Sequence, residues 1–165
     1  MAQLVRFWFE LCLLRAAPQD MPASRTVLGM SVCCYTLVSV LVTTLSSGFH
    51  DGVQVALLDL LLLAIFVGGL LYLFGQPARI NQTLSALTGS GSLLGLPALL
   101  LVMVSGSGPV TPLPATGWLL LLLWNLLVNA HILRHALSGS LAIGAGFSLL
   151  YTLLSLQVIG WLFPV

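Results

Sequence analysis

Apolar residues in this chain run in five long blocks separated by short polar turns, with neither strict alternation nor a simple amphipathic stripe. The blocks cover Thr26–Leu45, Gly52–Phe74, Thr83–Val104, 117–137 and Leu141–Phe163. Each is about 20 residues long, which at ~1.5 Å per residue crosses a hydrocarbon core of ~30 Å. The turns carry the Gly, Pro, Ser and Asn that interrupt helices, most densely in SGSGPVTPLPATG at 105–117. Merging the blocks into four would drive helices through these proline-rich turns. The pattern therefore predicts an all-α, polytopic membrane helix bundle with five transmembrane helices.

Residues 1–25 precede the first block and form a region of their own, with 26–165 as the transmembrane domain. MAQLVRFWFELCLLR is apolar but broken by Arg6, Glu10 and Arg15. It is too short to span, and Glu10 interrupts the apolar core that a signal peptide needs. Arg6 and Glu10 stand at i, i+4 among Phe7, Trp8, Phe9, Leu11 and Leu14, which predicts an amphipathic helix lying in the membrane interface. The alternative is the same helix packed against the inner end of the bundle. Pro18 and Pro22 then mark a linker, with Ser24 as N-cap of the first span.

Composition supports this assignment. The chain is 59% hydrophobic and 5% charged, against about 25% charged in soluble domains. Its net charge of +1, from five Arg, no Lys and four acids, supplies no basic patch for nucleic acid. Cys12, Cys33 and Cys34 fit neither a disulfide framework nor a zinc pattern and read as small apolar side chains. No cofactor and no metal are implied.

The arginines also predict orientation. With five spans, Arg6, Arg15, Arg25, Arg79 and Arg134 all fall on one side. The positive-inside rule makes that side cytoplasmic and the C-terminus periplasmic. Trp118, Trp161, Tyr72 and Phe74 fall near span ends as interfacial anchors.

Polarity inside the spans concentrates at 117–137, which holds Asn125, Asn129, His131, Arg134 and His135 and is expected to be surrounded by neighbouring helices. Counted by depth, Asp59, Asn125 and Gln157 share one level on three helices, with Asn129 nearby, and are expected to meet. Two readings remain open. One is a hydrogen-bonded clamp worth roughly 0.6–2 kcal/mol per contact. The other is a proton or small-solute path around a protonatable Asp59. His131 and His135 have metal-ligand spacing but lack the glutamate of HEXXH, so with Arg134 they are assigned to the cytoplasmic interface, near headgroups or helix-end carbonyls. Gly91, Gly95, Gly144 and Gly146 lie in small-xxx-small patterns that let helices approach closely, and Pro97 should kink or break the third span. No nucleophile with a base, phosphate loop or water-accessible carboxylate pair is present, which argues against an enzyme.

Asn81-Gln-Thr-Leu-Ser-Ala-Leu with the small-residue run and Pro97 resembles the third span of the Yip family. Leu123-Trp-Asn-Leu-Leu-Val, His131-Ile-Leu-Arg-His-Ala-Leu and the following Ser/Gly turn resemble its fourth and fifth. The likeness covers roughly 75–160. It implies five closely spaced spans with a cytoplasmic N-terminus. The long acidic N-terminal region of eukaryotic members is missing, so the resemblance is to a bacterial inner-membrane relative and transfers no site residues. The leading reading is a non-enzymatic membrane protein that interacts with lipids and other membrane proteins in the bilayer. The alternative is a small proton-coupled transporter or channel-like subunit using Asp59, Asn125 and Gln157.

Overall fold

A computed structural model describes residues 2–105 and 112–163. Among the described residues six α-helices follow one another: α1 (Ala2–Cys12), α2 (Arg25–Ser47), α3 (Phe49–Leu73), α4 (Ile80–Ser105), α5 (Pro112–Ala136) and α6 (Leu141–Leu162). All but α1 are long and apolar enough to cross a membrane, as the five blocks predicted, and the protein is a multi-pass helical membrane protein. Ser24 caps α2 by accepting the Thr26 N–H at 3.2 Å, and Ser140 caps α6 by accepting that of Ile143 at 3.4 Å. The single residue between α2 and α3 is Gly48, whose φ of +88° suits glycine.

Two boundaries differ from expectation for reasons of proline chemistry. α5 begins at Pro112, inside the stretch read as a turn. Proline is welcome in a first helical turn, where its missing N–H would be unpaired anyway. Residues 106–111, the rest of that expected turn, lie outside the described residues. Pro97 does not break α4, which continues to Ser105. Transmembrane helices tolerate proline where neighbours support the freed backbone.

The spans close into a ring in which α2 meets α3 and α4, α5 meets α4 and α6, and α6 returns to α3. The central helix is α4 and not α5, because α4 also packs on α1 and α3. Its Ser85, Ala86, Thr88, Gly89, Ser90 and Ser92 are buried, and such small side chains admit helices on several faces. The first half of α5 has Leu119, Leu120, Leu123 and Trp124 at the bundle surface; only its second half is enclosed, around Val128, Ile132 and Leu133.

The packed core occupies one end of the ring, here termed the basic end, where α2, α4 and α6 begin. Leu63, Val67, Leu70 and Leu71 of α3 meet Leu87 of α4 and Val128, Ile132 and Leu133 of α5. α1 packs on this core through one side. Trp8 is 3% exposed and Leu11 fully buried. The Trp8 indole lies on Gly89, where a Cβ would collide with it. The Arg6–Glu10 pair forms at 3.0 Å on the exposed side. Trp8 and Leu11 therefore meet protein, while Val5 and Phe9 of the same helix stay exposed at the bundle surface.

The linker is tied down at the same end. His131 Nε2 lies 3.0 Å from the Ala16 carbonyl, and a carbonyl only accepts, so that nitrogen carries the proton. Gln19 donates to the His135 carbonyl at 2.8 Å, and Gln82 to that of Met21 at 2.8 Å. The Arg79 guanidinium donates to the carbonyls of His135 (3.3 Å) and Ala136 (2.9 Å) and to Ser138 Oγ (2.7 Å). A cation there satisfies the orphan acceptors at the α5 C-terminus.

Candidate functional site: a carboxylate cavity lined by all five spans

Asp59 lies near mid-depth, about 15 Å along α3 from Phe49. Its carboxylate accepts three hydroxyls. Tyr35 of α2 donates to Oδ2 at 2.5 Å; Tyr151 and Ser155 of α6 donate to Oδ1 at 2.9 and 2.8 Å. Tyr151 and Ser155 are four residues apart, so one face of α6 presents both. Tyr151 is further held by the Phe66 ring, 5.3 Å away between centroids. No cation pairs with Asp59 among the described residues, where the ion pairs are Arg6–Glu10 and His50–Asp51. A charged Asp at the centre of a spanning helix costs about 2.5–3.5 kcal/mol to insert. Three hydroxyl donors at roughly 0.6–1.7 kcal/mol each offset a cost of that size without a counter-charge.

These groups face a cavity of about 180 Å³. Every spanning helix contributes to its wall: Tyr35 from α2, Asp59 and Leu63 from α3, Leu87 and Gly91 from α4, Asn125 and Asn129 from α5, and Tyr151, Thr152 and Ser155 from α6. Asn129 donates its amide to Asn125 Oδ1 at 2.8 Å, leaving the Asn129 oxygen and the Asn125 amide hydrogens for an occupant. Gly91 opens the wall, since a Cβ there would sit 2.8 Å from the Tyr35 ring.

Toward the basic end the cavity is shut. Below it a void of about 10 Å³ lies among Leu63, Phe66, Val67, Leu87 and Leu133. Toward the opposite end it adjoins a second chamber of about 270 Å³ between α2, α4 and α5, which shares Tyr35, Gly91 and Asn125 with it. The bundle is thus packed on one side of Asp59 and hollow on the other.

The expected polar meeting point is realised in part. Asp59, Asn125 and Asn129 line one cavity, but Asp59 is bonded to hydroxyls and not to the asparagines. Gln157 stands apart and is exposed. It has the right depth, yet two residues beyond Ser155 it points about 200° around the helix from it. Tyr35, Tyr151 and Ser155 were missed. Their signal was available: tyrosines usually sit at membrane interfaces, and two at mid-span each need a hydrogen-bond partner for the hydroxyl.

The histidines take no part in this cavity. His131 is 6% exposed and engages the linker; its ring meets that of His135 edge-on at 4.7 Å. Arg134 reaches His135 Nε2 at 3.3 Å. Of the surroundings expected for these histidines, His135 has Arg134 beside it and His131 has a backbone carbonyl, that of Ala16. Among the described residues, no three His, Cys, Asp or Glu side chains are grouped to hold a metal. Of the four glycines in packing patterns, Gly91 and Gly95 receive Tyr35 and Val38, and Gly144 seats α6 directly on the Ala130 carbonyl of α5. Gly146 meets nothing within 4 Å and faces outward.

Comparison of the chain with protein-family models, with curated proteins and with solved structures finds no match.

Proposed function

We propose that this protein binds a proton or a small cationic group at Asp59 and gives it access to the membrane interior from one side, as a transporter or channel-like subunit without a catalytic step. The observation that carries the reading is a carboxylate with no cation partner among the described residues, in a cavity lined by all five spans. A clamp alone needs no cavity beside it. The tyrosines and Ser155 hold the carboxylate in place, and the asparagines supply further polar groups. The arginine distribution supports a cytoplasmic basic end, which would turn the hollow side of the bundle toward the periplasm of a bacterial inner membrane.

The test is ion flux in proteoliposomes of the purified protein, driven by an imposed pH or cation gradient and read with an internal dye. Flux above that of empty vesicles, lost in Asp59→Asn, supports the reading. Equal flux in the two proteins overturns it. A second reading, a Yip-like role in organising other membrane proteins, draws on the resemblance over 75–160. It gains if the protein carries no ion and a defined membrane protein co-purifies with it in mild detergent.

A further inference from the structure

The second chamber differs in chemistry from the Asp59 cavity it joins. Apart from Ser39 and the shared Tyr35 and Asn125, its wall is mostly aliphatic: Val38, Val42, Leu94, Leu121 and Leu122, with Ala98 toward the outer part. It owes its volume to small residues. A Cβ on Gly95 would collide with Val38, and one on Gly91 with Tyr35. From Gly91 to Ala98 it follows α4 for about 10 Å at ~1.5 Å per residue, the reach of a medium-length alkyl chain. Trp118 stands at its outer part.

Resting on the Asp59 reading, we propose that the two chambers form one site for a cationic amphiphile: a primary ammonium head beside Asp59 and an alkyl tail of medium length in the aliphatic chamber. The head is fixed by charge and by hydrogen-bond capacity. An ionised carboxylate offers about four acceptor positions, and the three hydroxyls leave one on Oδ2. An ammonium has three donors, enough to use that position and the free oxygen of Asn129. An anionic head would meet a carboxylate with no cation beside it among the described residues. A neutral alcohol would leave the charge uncompensated. The tail gains from the aliphatic wall in proportion to the apolar surface it covers.

The experiment measures binding of ethylamine, octylamine, octanol and octanoate at pH 7 to the protein in uncharged nanodiscs, by titration calorimetry corrected against empty discs. Octylamine is expected to bind at least tenfold more tightly than ethylamine, with octanol and octanoate far weaker. Asp59→Asn should remove octylamine binding. Ala98→Leu and Val42→Phe, each first checked for an unchanged unfolding temperature, should erase the advantage of octylamine and leave ethylamine binding unaltered. Equal binding of the two amines overturns the amphiphile site while leaving Asp59 as a cation site. Octanoate binding as tightly as octylamine overturns the choice of head. Absence of binding by any amine, together with absence of flux, overturns both readings.

Discussion

Tyr35 and Asp59, on neighbouring antiparallel spans, are joined at 2.5 Å near mid-depth, and their side chains face the same cavity. The bond ties α2 to α3 away from their short turn, while Tyr151 and Ser155 tie α6 to the same carboxylate. Clamp and binding site are thus built from one set of atoms. Tyr35→Phe, Tyr151→Phe and Ser155→Ala should each destabilise the protein by about 0.6–2 kcal/mol in detergent unfolding. Because the three donors share one carboxylate, Tyr35→Phe combined with Tyr151→Phe should cost more or less than the sum of the two. Strict additivity would mean that the hydroxyls do not act as a unit.

Gly144 and Gly146 offer a paired test of the α5–α6 contact. A methyl at Gly144 would enter the Ala130 carbonyl, which is backbone and cannot swing away. Gly144→Ala should cost about 1–3 kcal/mol. Gly146 faces open space, so Gly146→Ala should be neutral or gain up to about 1 kcal/mol in helix propensity. Thermal unfolding of the two variants under one detergent condition reads the difference.

Docking of α1 can be tested through Trp8, whose indole lies on Gly89. Trp8→Ala should cost about 3–5 kcal/mol if it empties a packed site. It should also speed limited tryptic cleavage at Arg15. An α1 lying free on the membrane would show neither effect.

Cys12 tests the same docking chemically. Burial pushes its thiol up to about 11 from an ordinary 9.0, and Sγ contacts the Ser90 carbonyl at 3.7 Å. The fold favours the neutral thiol. Its contribution to stability is therefore complete below pH 9 and is lost as pH rises from 9 toward 11. In a protein carrying Cys33→Ser and Cys34→Ser, maleimide at pH 7.5 should label Cys12 far more slowly in the native state than after denaturation in SDS. Labelling of the native protein at the rate of a free thiol would contradict the packing.

The fold was largely legible because the length and apolarity of a span are local properties. Arg6–Glu10 and Ser24 were equally local and appear as read. What local patterns could not supply was direction around a helix axis. Gln157 matched Asp59 in depth and missed it in angle. The apolar face of α1 was visible, yet sequence cannot say whether such a face meets lipid or protein; its partner, Gly89, lies far along the chain. The importance of α4 was hidden because serine, glycine and alanine look unremarkable until helices are packed on every side. The tyrosines of the site were overlooked since their value comes from Asp59, which neither neighbours in sequence.

The measurement closest to the central claim is proton and cation flux through proteoliposomes containing the wild-type protein and Asp59→Asn, matched for unfolding temperature. Asparagine keeps the size of the side chain and an acceptor for the hydroxyls but removes the charge. The account predicts flux in the wild type and background leakage in the variant; equal flux in the two would contradict it.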